Sequence, residues 1–166
     1  MPNDVLKSKQ QQRAEAEVDS FRDGLGPFVT AADTTRMPML FTDAKVPDHP
    51  IIYVNQAFLT LTGYAEHEVM GQSFDFLMKR GTDPEMLAEI QSSFEGSRGL
   101  EPLVRYRCKD GSAVWLLIFI TPVRNRDGTV EQHFSSFVNI TRQKEEEDRL
   151  RALFTRSDAP KSSIRT

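Results

Sequence analysis

The 166-residue chain has a single cysteine, Cys108, and this scarcity excludes several kinds of site. One thiol cannot form an internal disulfide, and it cannot supply a cysteine-rich zinc or iron–sulfur centre. A chain of this size also buries enough surface to fold without either kind of cross-link. Because a lone thiol is typical of a reducing compartment, the sequence predicts a cytoplasmic protein.

Long apolar runs and an excess of one charge are also missing. No apolar run reaches the length of a membrane span, and the first residues, MPNDVLKSKQQQ, contain no apolar signal core. The 24 acidic and 21 basic residues leave a formal net charge of −3, which does not favour binding to a polyphosphate. We therefore predict that neither a membrane nor a nucleic acid is a partner.

The ends of the chain are polar and the middle is not. Residues 1–13 are rich in glutamine and almost free of apolar side chains, which predicts a frayed or disordered start. Apolar residues at helical spacing from Ala14 predict a helix that ends near Gly24 or Gly26, within an N-terminal helical extension over residues 14–35. Residues 142–155 predict a charged signalling helix, and the small polar residues 156–166 predict a flexible tail, which favours a stand-alone protein.

Between these extensions the pattern predicts an α+β domain over residues 36–141. Two β-type runs come first, and short helices follow. A longer helix is then capped by Asp83 or Thr82 and ended by Gly96. Three more strands are joined by turns that contain Asp-Gly, a signal for neighbouring antiparallel strands. The predicted domain therefore has a five-stranded antiparallel sheet with helices on one face.

The middle strand of the last three is apolar at nearly every position. Trp115, Leu117 and Phe119 point away from the positions that face the helices, and Phe134 extends this outer face on the next strand. An antiparallel sheet usually keeps one face polar, and a contiguous apolar outer face usually marks an interface. The cover is either the protein's own terminal helix or a second subunit, and both can hold together. The polar character of the terminal helices favours a homodimer.

Several short motifs occur in a fixed order: VNQAFLTLTGY, G-x-S-F-x-F-L, TDPE, and KDG followed by a strand ending in PVR. With these motifs, the chain from about Arg36 to Thr141 resembles the PAS superfamily, and within it the LOV branch of flavin-binding blue-light sensors. The resemblance implies the PAS fold, a five-stranded antiparallel sheet flanked by helices. The chain is also similar to the sensor segments of HWE-type histidine kinases, which implies a histidine kinase or another signalling protein as a partner.

This chain lacks the residues that the LOV branch uses for its light-sensing chemistry, so we do not expect that chemistry here. LOV sensors carry N-C-R-F-L-Q where this chain has SFDFLM. The cysteine that bonds the excited flavin corresponds to Phe74, which lacks the nucleophilic sulfur that the bond requires. The arginine that pairs with the flavin phosphate corresponds to Asp75, whose charge would repel it. A second phosphate arginine corresponds to Gln91, and the glutamine of the motif corresponds to Met78.

The other polar flavin contacts of the family also fall on unsuitable residues. The former flavin pocket implied by the resemblance consists of Asn55, Phe74, Asp75, Met78, Gln91, Tyr106, Leu116, Ile118 and Phe137. Losing several polar contacts at roughly 1–3 kcal/mol each would remove most of a micromolar affinity, which is about −8 kcal/mol. We therefore expect no cofactor: binding of FMN is disfavoured, and the pocket is expected to have become core.

Few other residues suggest a site. Glu68 and Lys109 fall where the family has a surface salt bridge over the pocket mouth. The three histidines, His49, His67 and His133, are scattered and do not suggest haem or a metal, and no catalytic motif occurs.

The leading hypothesis is therefore a non-enzymatic signalling and interaction module. It would lack flavin, dimerise through the outer face of its sheet and act through its terminal helices. Two alternatives remain: a sensor that binds an apolar small molecule in the remodelled pocket, and a flavin-binding blue-light photoreceptor that works without a cysteine.

Overall fold

In the computed structural model the described residues are 27–158 and the isolated positions Lys9, Gln12 and Ala16. For residues 27–30 and 156–158 the structure describes only the backbone. Apart from Ala16, the helix predicted from residue 14 to about Gly26 lies outside the described residues.

Helices and strands follow one another in the order that the sequence predicts for residues 36–141. The elements are α1 (Pro27–Thr34), β1 (Met39–Asp43), β2 (Ile51–Val54), α2 (Gln56–Thr62), α3 (Glu66–Val69), α4 (Phe74–Met78), α5 (Pro84–Glu95), β3 (Leu103–Arg107), β4 (Ala113–Arg124), β5 (Val130–Asn139) and α6 (Thr141–Asp158).

The strands form one five-stranded sheet in the order β2-β1-β5-β4-β3, and every neighbouring pair is antiparallel. β3, β4 and β5 make the predicted meander. β1 pairs with the other side of β5, and β2 pairs with β1 at the edge of the sheet. The predicted α+β class and the five-stranded sheet flanked by helices are confirmed.

The longest helix between the strands forms for the reasons visible in its sequence. The carboxylate of Asp83 accepts a hydrogen bond from the N–H of Glu85, and Pro84 occupies the first turn. Both features suit the start of a helix, where backbone N–H groups have no partner within the helix. Gly96 follows the last residue of α5, as predicted.

Alternate residues of β4 face opposite sides of the sheet, as the apolar pattern predicts. Leu116, Ile118 and Ile120 are buried on the inner face, which packs against the helices. Trp115, Leu117 and Phe119 lie on the outer face and are only partly buried. The hydrophobic core therefore lies between the inner face of the sheet and helices α2 to α5.

Three features of the extensions differ from the sequence prediction. Lys9 and Gln12 are helical although residues 1–13 are predicted to be frayed, because lysine and glutamine both have good helix propensity. α1 lies within the predicted helical extension over residues 14–35 but beyond the helix end predicted near Gly26, and Pro27 at its first position is a helix-start signal.

The third difference is the length of α6. This helix begins at Thr141 and ends at Asp158, so it includes three residues of the tail predicted to be flexible. Ion pairs four residues apart stabilise its exposed surface: Lys144 lies 3.8 Å from Asp148, and Arg151 lies 2.6 Å from Glu147. Among the described residues, no helix is both long enough and apolar enough to cross a bilayer.

Candidate functional site

Most of the residues that the family resemblance assigns to a flavin pocket lie in the core between the inner face of the sheet and the helices. Six of them are no more than 2% exposed: Phe74, Met78, Tyr106, Leu116, Ile118 and Phe137. They come from α4, β3, β4 and β5, so the fold brings together residues that are far apart in the sequence. All six belong to the continuous hydrophobic core.

Aromatic rings fill the space between the sheet and the helices. Phe74 stacks on Phe137 with 6.5 Å between the ring centroids, and Phe137 also contacts Phe58 at 5.4 Å. A third ring, Phe94 of α5, lies 4.9 Å from Phe74. These contacts connect α2, α4 and α5 to β5 through side chains alone, so the rings act as core packing.

Asn55 is fully buried, but its amide group is already occupied. Its Oδ1 accepts hydrogen bonds from the N–H groups of Met39, at 2.9 Å, and Phe58, at 3.0 Å. Its Nδ2 donates to the carbonyl oxygens of Ala32, at 2.9 Å, and Met37, at 2.8 Å. Because all four bonds go to the backbone, this side chain caps α2 and holds α1 against β1, and it is not available to a ligand.

Asp75 and Gln91 line a cleft of about 420 Å³ that Phe74 and Phe94 also line. The cleft lies between the β1–β2 loop, the start of α4 and the end of α5. Gln91 is exposed, whereas Oδ1 of Asp75 is buried and has no hydrogen-bond partner among the described residues. The two positions that correspond to phosphate arginines therefore border one opening.

Tyr106 places a hydroxyl group in the core without a hydrogen-bond partner among the described residues. Burial raises the pKa of Tyr106, so its hydroxyl stays protonated. Nearby, the guanidinium of Arg80 donates to the hydroxyl of Tyr64, and this bond raises the pKa of Arg80. The phenol and guanidinium groups form a polar cluster beside the apolar core.

Glu68 and Lys109 form the surface salt bridge that the resemblance implies. Nζ of Lys109 lies 2.6 Å from Oε1 of Glu68, while Oε2 accepts from the N–H of Ala65. Both bonds lower the pKa of Glu68, with the lysine making the larger contribution. The side chains are 49% and 30% exposed for Lys109 and Glu68, and pairs as exposed as this contribute little to stability.

The structure also reveals a buried polar strip on β5 that the sequence analysis did not identify. His133 and Ser135 are both completely buried, and neither side chain has a hydrogen-bond partner among the described residues. The histidines are scattered along the sequence, whereas the fold brings the ring of His49 to 5.8 Å from that of His133. The alternation of side chains along a β-strand could have indicated this strip, since His133 and Ser135 lie on the same face of β5 as Phe137.

The outer face of the sheet is partly covered by the start of α6. Nζ of Lys144 lies 5.3 Å from the centre of the Trp115 ring, and the N–H of Trp115 donates to Oγ1 of Thr141. Farther along this face, Phe134 contacts Phe41 with 5.0 Å between the ring centroids. Leu117 and Phe119 lie between these two contacts and are partly buried. The predicted outer face is therefore present as one apolar surface.

Metal ligation is not suggested by the described part of the chain. No group of three or more histidine, cysteine, aspartate or glutamate side chains comes together there in a way that would hold an ion. Cys108 is buried, and its thiol lies 3.4 Å from the carbonyl oxygen of Leu61.

Comparison with known proteins connects this fold to a family. Residues 37–142 match the family model described as PAS domain. A blue-light-activated histidine kinase of Brucella ovis is 40% identical over 116 residues, which cover 69% of this chain and 24% of that protein. The corresponding protein of Brucella anthropi is 37% identical over 123 residues, or 74% of this chain and 25% of that protein. The chain thus spans about a quarter of the length of these curated relatives.

Solved structures agree with the sequence match. An RNA-binding light-oxygen-voltage receptor superposes with a TM-score of 0.72 and 32% identity, over 78% of this chain and 37% of that one. The LOV domain of the Erythrobacter litoralis EL346 blue-light-activated histidine kinase superposes with a TM-score of 0.59 and 25% identity. The match covers 63% of this chain and 96% of that one. Because the family model covers more than half of its residues, this chain belongs to the PAS-domain family and is homologous to the LOV-type sensors of blue-light histidine kinases.

Proposed function

We propose that this protein is a cytoplasmic, non-enzymatic signalling module that works without a flavin. In this proposal it dimerises through the outer face of its sheet and transmits a signal through α6. Its partner is a histidine kinase or another signalling protein, because its curated relatives are blue-light-activated histidine kinases.

The observation that carries the proposal is the filling of the inner face by large side chains. Phe74, Met78 and Phe137 are each at most 2% exposed. The ring of Phe74 packs on Phe94 at 4.9 Å, and the ring of Phe137 packs on Phe58 at 5.4 Å. A flavin in this region would have to displace packed rings, and protein cores tolerate added volume poorly. Asp75 would also repel a flavin phosphate, because it carries a carboxylate where the resemblance places a phosphate-binding arginine.

The outer face and α6 supply the surface through which the module would act. Leu117 and Phe119 form an apolar patch on β4, and such patches commonly mark interfaces. Along α6, Leu150 and Leu153 are each 56% exposed and Phe154 is 68% exposed. These residues, spaced three and four apart, give the helix an apolar stripe that suits packing against another helix.

An absorption spectrum of the purified protein tests the flavin-free proposal. We expect no three-banded absorption near 450 nm, either as purified or after incubation with excess FMN and removal of unbound dye. The matched variant Phe74→Cys is measured in parallel. We expect it to remain colourless, because the cysteine does not restore the phosphate contacts, and Met78 and Phe137 still occupy the inner face. About one flavin per wild-type chain would overturn the proposal and support the cysteine-less photoreceptor instead.

A second candidate is a sensor that binds an apolar small molecule among Met78, Tyr106, Leu116 and Phe137. The buried, unpartnered hydroxyl of Tyr106 favours it, because a weakly polar ligand would supply the missing hydrogen bond. Native mass spectrometry distinguishes the two functions: a stoichiometric extra mass supports the sensor, and the bare mass of the chain supports the ligand-free module.

A further inference from the structure

Two buried hydroxyl groups have no hydrogen-bond partner among the described residues and lie close to one strand edge. One belongs to Tyr106 of β3, which is 1% exposed, and the other to Thr82, which is 8% exposed in the loop before α5. Buried polar atoms are nearly always paired in native proteins. Each of these hydroxyls can donate its proton, so the pair could bind an acceptor that the chain itself does not supply.

The residues just before Thr82 run along the edge of β3 and bring a cationic group to the same place. The N–H of Arg107 donates to the carbonyl oxygen of Arg80 at 3.0 Å, and a Cβ added to Gly81 would lie 3.2 Å from that same nitrogen. Burial is the main influence on the pKa of Tyr106 and raises it, while the charge of Arg80 acts on the same hydroxyl in the opposite direction. The guanidinium is therefore within electrostatic range of the buried phenol.

This cluster contains donors, and the neighbouring carboxylates are engaged elsewhere. A guanidinium has five N–H donors, and Arg80 forms no ion pair within the described part of the chain. The carboxylate of Glu68 pairs with Lys109, and that of Asp83 accepts from the N–H of Glu85. A positive charge beside two unpaired hydroxyl donors is the arrangement that suits an anion.

We propose that Arg80, Tyr106 and Thr82 bind the carboxylate group of a small organic acid. A planar carboxylate matches the parallel N–H groups of a guanidinium, and its oxygens accept hydrogen bonds from the two hydroxyls. Arg80 is only partly buried, so the acid reaches the site from solvent. This site goes beyond the proposed signalling function, and it also fixes the charge of any ligand that uses the hydroxyl of Tyr106.

The test is an NMR titration of the full chain at pH 7 and constant ionic strength with three probes. Acetate should give saturable shifts in residues 80–82 and 104–107, with a dissociation constant of about 10 mM or lower. Acetamide has nearly the same shape without the charge and should bind at least about tenfold more weakly. Inorganic phosphate should also bind more weakly than acetate. Equal affinity for acetate and acetamide, shifts outside these residues, or tighter binding of phosphate would overturn the proposal.

Variants assign the binding to the named side chains. Tyr106→Phe keeps the ring and removes only the hydroxyl, so it should weaken acetate binding about tenfold. Arg80→Gln should abolish saturable binding, and Arg80→Lys replaces it if the glutamine variant fails to fold, since an ammonium cannot bind a carboxylate through two parallel N–H groups. Arg107→Gln is the control, because it removes the same charge from an exposed side chain of β3. Unchanged affinity of Tyr106→Phe, or an equal loss in Arg107→Gln, would contradict the assignment.

Thermal unfolding separates a bound acid from a purely structural role of the hydroxyl. Without acetate, Tyr106→Phe should unfold at the wild-type temperature or above it, because the change removes a buried polar group that has no partner. Acetate should then raise the unfolding temperature of the wild type more than that of the variant. A variant that is destabilised equally with and without acetate would overturn the proposal.

Failure of this proposal differs from failure of the proposed function. A colourless protein that does not bind acetate loses only this site. A protein that carries flavin loses the flavin-free function, whatever the titration gives.

Discussion

The imidazole ring of His133 lies perpendicular to that of His49, with 5.8 Å between the ring centroids. His133 is completely buried on β5, and its side chain shares the inner face with Thr42 of β1 and Pro122 of β4. The ring of Phe94 on α5 also contacts it, with 4.7 Å between the ring centroids. Burial lowers the pKa of His133 to about 4, and His49 makes a smaller contribution in the same direction. Since Thr42, Pro122 and Phe94 do not titrate, His49 is the titratable group that faces it.

This arrangement predicts that acid destabilises the protein through His133. A histidine in an unfolded chain has a pKa of about 6.5, so the unfolded state takes up the proton before the folded state does. The contribution of His133 to the free energy of unfolding should be fully present above about pH 6.5. It should decrease by up to about 1.4 kcal/mol per pH unit as the pH falls towards 4. Urea denaturation at a series of pH values between 7.5 and 4 measures this slope.

Two variants assign the slope to its residue. His133→Leu should flatten the pH dependence between 6.5 and 4, because no proton is then taken up at this position. His67→Gln, a change at an exposed histidine of α3, should leave the slope unchanged. A His133→Leu variant with the full wild-type slope would show that other groups cause the acid sensitivity.

Phe74 and Phe76 lie two residues apart on α4 and have opposite environments. Phe74 is 2% exposed and contacts Phe94 and Phe137, whereas Phe76 is 47% exposed. If Phe74 is core packing, Phe74→Ala should lower the free energy of unfolding by about 3–5 kcal/mol through lost contacts and a cavity. Phe76→Ala should change it by about 0.5 kcal/mol or less. Chemical denaturation of both variants gives the comparison, and similar values would contradict the assignment of Phe74 to the core.

Local signals in the sequence predict most of the fold. β2 is observed over Ile51–Val54, where the apolar run predicts it, and α5 begins after Asp83 and ends before Gly96. The two faces of β4 follow from the alternation of its side chains, as the contrast between Ile118 and Phe119 illustrates. These features depend on residues that are near one another in the chain, so the sequence is sufficient to predict them.

Features that depend on distant residues are not predictable in this way. The ring contact between His49 and His133 joins a loop to a strand through the antiparallel pairing of β1 and β5. No local pattern in the sequence predicts that pairing, because the register of the two strands depends on the whole sheet. The four backbone partners of Asn55 likewise become visible only when α1, β1 and α2 are in place. The position of Asn55 in the fold therefore decides that its role is structural.

Asn55 should be among the residues most sensitive to substitution. Asn55→Leu removes four hydrogen bonds to the backbone and leaves buried N–H and C=O groups unpaired. Each such group costs about 1–3 kcal/mol, so the free energy of unfolding should fall by at least about 3 kcal/mol. Gln56→Ala is the neighbouring control, since Gln56 is exposed, and it should cost about 0.5 kcal/mol or less. Equal stability of the two variants by urea denaturation would contradict this role.

The apolar outer face predicts the oligomeric state. Trp115 and Phe119 point from the same side of β4, and a charge at either position would have to be buried in a dimer that uses this face. Trp115→Glu and Phe119→Glu should therefore each give a monomer by sedimentation velocity, whereas the wild type should sediment as a dimer at tens of micromolar.

Thr60→Glu provides the matched control for this experiment. It adds the same charge at an exposed position of α2, which packs against the inner face of the sheet rather than the outer face, and should leave the dimer intact. Circular dichroism of each variant confirms that the fold is retained, so that a loss of dimer is not a loss of structure. A wild type that is already monomeric at these concentrations, or a Phe119→Glu variant that stays dimeric, would show that the outer face is not the interface. Its apolar residues would then be explained by α6, which partly covers this face and places Lys144 against the ring of Trp115.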